Sequence, residues 1–115
     1  MEVHFRNTRG SRIWIAIMRY EPGSCGGEYG NWATAGWWGP GPGESVHAFN
    51  TTNRLFAFYA ESEDGAIWAG DRGPVYVYHE SFESCLKIGS TAAYGTVGMR
   101  LMDGGSVGKY TVNLT

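Results

Sequence analysis

Residues 12–20, RIWIAIMRY, form the longest apolar run in this chain of 115 residues. Successive side chains of an extended strand point to opposite sides. The run therefore divides into two apolar sides: Ile13, Ile15 and Ile17 on one, and Trp14, Ala16 and Met18 on the other. A helix over the same residues would have no polar face. We therefore expect a strand that is buried on both sides.

Short apolar runs separated by glycine-rich turns continue along the rest of the chain. They predict further strands over residues 3–6, 32–38, 45–49, 55–62, 66–69, 75–78, 97–102 and 109–114. Residues 82–88 fit either a short strand or one helical turn. Asp64-Gly65 predicts a hairpin, because this dipeptide favours the positive φ of a tight turn. A second hairpin is expected between the last two strands, through residues 103–106.

This succession of about eight to ten short strands, with turns at close intervals, is typical of a sandwich or a small barrel. The sequence contains no internal repeat, no linker and no shift in composition. We therefore expect an all-β fold, with residues 1–115 forming a single antiparallel β-sandwich domain.

The composition excludes several classes of function. The formal net charge is −2, and only 17% of the residues are charged. No nucleic-acid partner is expected, because no positive charge is available to displace counterions. No apolar run is long enough for a transmembrane helix. No signal peptide is visible near residue 1, which leaves a cytoplasmic and a mature secreted protein both open.

The polar residues form no recognisable catalytic or metal-binding motif. None of the histidines (His4, His47 and His79) lies within four residues of another, so neither a metal nor another cofactor is expected. Acidic residues surround the predicted hairpin, where a solvated turn is the ordinary interpretation. The alternatives there are an acid–base pair or a calcium site. No nucleophile elbow or phosphate-binding loop occurs, and we do not expect an enzyme.

Cys25 and Cys85 are the two cysteines of the chain. They either remain free thiols or form a disulfide, which would close a long loop and contribute roughly 3–5 kcal/mol. Two cysteines are too few for a structural zinc site unless histidines join them.

Residues 32–70 combine tryptophans, a proline–glycine turn and an aromatic strand in a distinctive order. The positions concerned are Trp32, Gly36, Trp37, Trp38, Pro42, Gly43, Tyr59, Ala60, Glu61, Gly65, Trp68 and Gly70. This pattern resembles the bacterial family called domain of unknown function 1036. The resemblance implies a compact β-sandwich without an established activity or catalytic residues. Of the two cysteines only Cys85 matches the family's cysteine positions, so the resemblance implies no disulfide pairing here.

The C-terminal residues 99–115 carry a second resemblance. They are similar to the final hairpin of the aegerolysins, which are small all-β proteins that bind membranes.

Aromatic side chains are the most informative candidates for function. Trp37 and Trp38 are adjacent, so in a strand one anchors the core and the other faces outward. The candidate contact residues are Trp37, Trp38, Trp68, Tyr76 and Tyr78. They predict a non-enzymatic binding module for a protein partner or a second copy, with strand addition at a sheet edge as one route. The alternatives are a carbohydrate-binding domain, in which aromatic rings stack on sugars, and a protein that binds lipid surfaces.

Overall fold

The computed structural model describes residues 1–23, 25–26, 31–78, 80–85 and 95–115. Within these ranges the chain forms ten strands and no helix. The strands are β1 (Glu2–Asn7), β2 (Ile13–Tyr20), β3 (Trp32–Trp38), β4 (Ser45–Asn50), β5 (Leu55–Ser62), β6 (Ile67–Trp68), β7 (Arg72–Val77), β8 (Phe82–Cys85), β9 (Gly95–Asp103) and β10 (Lys109–Leu114). No membrane-spanning helix is therefore present in the described part of the chain.

The strands are arranged in two sheets of unequal width. The smaller sheet has the order β10-β1-β4, and the larger one has the order β7-β9-β5-β2-β3-β8, with β6 attached to β5. The described pairs are antiparallel except for β1 and β10, which run parallel. The sheets pack together, which confirms the all-β, sandwich-like fold. Only the pair of β1 and β10 departs from the antiparallel arrangement among the described pairs. These strands come from opposite ends of the chain, so no tight turn restricts their direction.

One hydrophobic core lies between the two sheets. The three isoleucines of β2 and the phenylalanines of β5 point toward the smaller sheet. Phe5 of β1 packs edge-on against Phe58 of β5, with ring centroids 5.4 Å apart. Both rings are almost completely buried, so this contact holds the centres of the two sheets together.

A second core lies on the other side of the larger sheet. It joins Ala16 and Met18 of β2 to Val75 and Val77 of β7 and to Met99 of β9. Residues 100–103 of β9 pair with β5, whereas residues 95–99 pair with β7. Because β9 pairs with both strands, it positions β7 over this side of the larger sheet. β2 is therefore buried on both sides, as its sequence predicts.

The hairpin predicted at Asp64-Gly65 is confirmed. β5 and β6 pair on either side of it, and Gly65 adopts a positive φ of 97°. The hairpin predicted for the last two strands is wrong. β9 pairs with β5 and β7, while β10 crosses to the other sheet and pairs with β1. There Val112 and Leu114 contribute to the core between the sheets, a contact that a β9–β10 hairpin would not supply.

The bounds of several strands also differ from the prediction, most of all at β7. β7 begins at Arg72 and includes Pro74, where the register with β9 shifts. A proline without an N–H donor is tolerated at such an irregularity. The ambiguous segment 82–88 forms a strand over Phe82–Cys85, and its remaining residues lie outside the described part of the chain.

Candidate functional site

The unequal width of the sheets leaves part of the larger one uncovered. In the described chain β4 is the last strand of the smaller sheet on this side, whereas the larger sheet continues through β3 to β8. A groove of about 500 Å³ lies at this step. Its lining residues are Arg19, Ala35, Gly36, Trp37, Trp38, Ala48, Ser81, Phe82 and Glu83.

Small side chains form the floor of the groove and larger ones its walls. Ala35 of β3 pairs with Ile17 on one side and with Glu83 on the other. Trp38 is half-buried and packs against the core between the sheets. Ala48 comes from the opposite wall, where the register of β1 and β4 shifts. A bulge of this kind redirects a side chain, and Ala48 packs against the same core as Trp38.

The groove extends along β3 and β8. A second cavity of about 250 Å³ shares Arg19 and Glu83 with the first and continues to Ala33 and Cys85. Arg19 approaches Glu21, with Nε and Oε2 3.6 Å apart, and Glu83 is exposed. An elongated site with an apolar floor and one side chain of each charge suits an extended ligand more than a compact one.

The backbone edge of β4 borders this groove. Among the described residues β4 has a hydrogen-bonded neighbour on one side only, which is β1. Its other edge lies next to Ala48 and the uncovered strip of β3. The N–H and C=O groups of an edge strand can pair with an added strand.

Trp37 and Trp38 lie on opposite sides of β3, as predicted. Trp37 packs against the second core, with its ring edge-on to Tyr59 at 6.3 Å and to Phe82 at 6.0 Å. Its Nε1 donates a hydrogen bond of 2.7 Å to the carbonyl oxygen of Tyr78. These contacts hold Trp37 in the framework, and Trp38, on the other side of β3, also lines the groove.

The other three candidate residues lie in three different places. Tyr78 contacts Phe82, with ring centroids 5.1 Å apart, and so lies near Trp37. Trp68 is on β6, where the guanidinium of Arg9 covers its ring at 5.8 Å. Tyr76 points outward from β7 with 37% of its surface exposed. Tyr78 therefore lies beside Trp37, and Trp37 and Trp38 both line the groove, whereas Trp68 and Tyr76 lie elsewhere.

The carboxylates around the β5–β6 hairpin are occupied by local partners. Asp64 accepts hydrogen bonds from the Ser62 hydroxyl and from Arg9, and these bonds hold its pKa below the usual range. The Tyr59 hydroxyl donates to Glu61 at 2.8 Å. An acid–base pair needs one carboxyl with a raised pKa, whereas the contacts of Asp64 lower its pKa. This arrangement favours the ordinary interpretation of a solvated turn.

Sequence reasoning missed Arg19, Ala48 and Glu83 as lining residues of the groove. They belong to three strands that meet only after both sheets have formed. The one local signal is the alternation of alanines in residues 32–38, which marks a side of β3 without bulky residues.

Comparison of the chain with protein-family models, curated proteins and solved structures finds no match. The fold and the groove together define an all-β, sandwich-like protein with one open side. The resemblances to domain of unknown function 1036 and to the aegerolysins stay predictions.

Proposed function

We propose that this protein is a non-enzymatic binding module that holds an extended polypeptide segment in the groove beside β4. The observation that supports this most directly is the step between the sheets. In the described part of the chain, β4 is paired on one side only and lies next to a strip of the facing sheet that the smaller sheet does not cover. Addition of a strand at such an edge is a common mode of peptide recognition.

The side chains of the groove suit a strand in this position. Alternate residues of an added strand would face the larger sheet, and the others would face solvent. The inward residues would meet Ala35 and the ring of Trp38, while Arg19 and Glu83 offer one charge of each sign. β4 has six residues, so it matches a segment of about 20 Å. We therefore expect recognition of about six residues, with main-chain pairing for affinity and alternate side chains for selectivity.

A displayed library of random linear peptides tests this proposal. Peptides selected on the wild-type protein should lose binding to Ala48→Arg, which places a long side chain in the groove. Their affinity for Glu83→Lys should also change according to their charge, rising for acidic peptides and falling for basic ones. Val107→Arg is the matched control, because Val107 is 50% exposed and lies outside the groove. Selected peptides that bind Ala48→Arg as well as they bind the control would contradict the proposal.

N-methylation of a selected peptide tests main-chain pairing separately. Only every second residue of an added strand directs its backbone groups toward the edge strand. Methylation at alternate positions should therefore abolish binding, with little effect at the positions between them. A loss without this alternation would show that side chains alone hold the peptide.

A glycan array and light scattering identify the competing occupants. If the protein binds a polysaccharide and Trp38→Ala loses this binding, the occupant of the groove is a sugar and not a peptide. A concentration-dependent oligomer that Ala48→Arg dissociates would identify the added strand as part of a second copy. A monomer at all concentrations, together with peptide binding, supports a separate polypeptide partner.

A further inference from the structure

Pairing of β1 with β4 brings three donor side chains together on the outer side of the smaller sheet. His4 lies opposite His47 in the register, and Glu2 is two residues before His4 on the same side of β1. Glu2 Oε1 is 3.1 Å from His4 Nε2 and 3.9 Å from His47 Nδ1. The three donor atoms all lie within 4.8 Å of one another. Among the described residues this is the one such group of three.

We propose that this group binds one divalent first-row transition metal ion, such as Zn²⁺ or Cu²⁺. The ligands are His4 Nε2, His47 Nδ1 and a carboxylate oxygen of Glu2. Imidazole and carboxylate together suit this class of cation, whereas Mg²⁺ and Ca²⁺ prefer sites made of oxygen atoms alone. Three protein ligands leave at least one coordination position for water or another ligand.

The distances are close to those that a bound ion requires. Ligand bonds of 2.0–2.1 Å in a tetrahedral site separate the donor atoms by about 3.3 Å. The oxygen of Glu2 is near this separation from His4 Nε2, at 3.1 Å, and farther from His47 Nδ1, at 3.9 Å. The two imidazole rings are stacked, with centroids 4.5 Å apart and planes 14° from parallel, so one ring must tilt toward the ion. The His47 side chain is 43% exposed, which leaves it room for this movement.

Asn50 orients His47 for this role. Its Oδ1 lies 2.7 Å from His47 Nε2 and can accept the ring N–H. That hydrogen bond leaves the lone pair on Nδ1, the nitrogen that approaches Glu2. A ligating histidine commonly donates its other N–H to such a partner, which fixes the tautomer and the ring direction. Lys109 lies opposite Glu2 on β10, and its positive charge limits the affinity.

This inference does not rest on the proposed function. His47 and Asn50 share β4 with the proposed peptide edge, but their side chains do not line the groove. It also departs from the expectation of no metal, which rested on the spacing of the histidines in the sequence. A cross-strand pair has no fixed spacing in sequence, since the register of the two strands decides which residues meet.

Calorimetric titration of the untagged full chain with ZnCl2 and CuCl2 tests the proposal. We expect one ion per chain, no comparable binding of MgCl2, and at least tenfold weaker zinc binding in His47→Gln and in Glu2→Gln. Asn50→Ala should weaken binding by about tenfold through loss of the orienting contact. His79→Gln is the control for the remaining histidine and should bind like the wild type. Zinc binding that is unchanged in His47→Gln would overturn the proposal.

Nitrogen-15 NMR of the wild-type imidazoles provides a second readout that requires no variant to fold. Zinc should shift His4 Nε2 and His47 Nδ1 as ligands, and leave His47 Nε2 protonated. Shifts confined to His79 would contradict the assignment, as would the absence of any imidazole shift at millimolar zinc.

Discussion

Loss of the disulfide between Cys25 and Cys85 should destabilise the protein more than most single substitutions. The structure bonds these residues, which decides between the two states that the sequence left open. Cys25 is buried after β2, and Cys85 is the last residue of β8. Replacement of both by serine, or reduction of the wild type, removes the cross-link.

The magnitude follows from the length of the loop that the disulfide closes. The two cysteines are separated by 60 residues. The chain-entropy relation for such a loop gives a loss of about 14 cal/mol/K in the unfolded state, or about 4 kcal/mol at 25 °C. A chain of this size has an unfolding entropy of about 0.24 kcal/mol/K near its midpoint, so the loss corresponds to about 17 °C in Tm.

Thermal and urea denaturation of the oxidised, reduced and double-serine proteins measures this effect. The reduced and double-serine proteins should unfold at similar midpoints, well below the oxidised protein. Reductant should not shift the double-serine variant further, which controls for effects of the reagent. A difference below about 1 kcal/mol would refute the entropic argument. Two titratable thiols per denatured, unreduced chain would refute the disulfide itself.

The same perturbation should act locally on the groove. β8 has four residues, and β3 is its one strand partner among the described residues. Hydrogen exchange of residues 82–85 should therefore accelerate in the double-serine variant more than exchange in β5. Equal acceleration in both strands would show that the disulfide affects only global stability.

Three further predictions concern glycine packing, a buried amide and an ion pair. Gly98→Ala should lower the free energy of unfolding by about 1–3 kcal/mol in urea denaturation, because the added Cβ would overlap the backbone oxygen of Gly70. Gly95→Ala, in the same strand with nothing within 4 Å, is its control. Asn7→Ala should cost about 3 kcal/mol in the same assay. This fully buried side chain donates to two carbonyl oxygens and accepts one N–H. Finally, the pKa of Asp64 is lowered in the folded state. Its ionised carboxylate should therefore contribute its full stabilisation above about pH 4, and this contribution should be lost as the pH falls through the folded-state pKa. Carboxyl NMR titration should show this pKa rising toward the usual value in Arg9→Gln.

Alternation of side chains accounts for what the sequence could predict. Residues 12–20 and 55–62 are apolar on both sides, and both become central strands with a core on each side. The opposite directions of Trp37 and Trp38 follow from the same rule. These are local properties of a strand and need no knowledge of its neighbours.

The partners of each strand could not be predicted in the same way. The expected β9–β10 hairpin failed because short separation in sequence favours pairing only when no better surface is available. β10 instead covers the larger sheet, where Tyr110 packs against Phe56 with ring centroids 5.7 Å apart. The groove and the pair of His4 and His47 depend on the order and register of distant strands, which single-strand patterns do not encode.

The position of the groove follows from how the strands are divided between the sheets. The second core needs β7 and β9 on one side of the larger sheet. The other side of that sheet is covered by β10, β1 and β4. Three strands span about 14 Å, so they cannot cover the whole width of the larger sheet. Tyr110 of β10 and Phe49 of β4 both pack on Phe56 of β5. Among the described residues of the smaller sheet, only Ala48 lines the groove over β3 and β8. Along this strip β3 presents Ala33 and Ala35, so little apolar surface is exposed without a partner. An occupant must therefore gain much of its affinity from the edge of β4 and from Trp38.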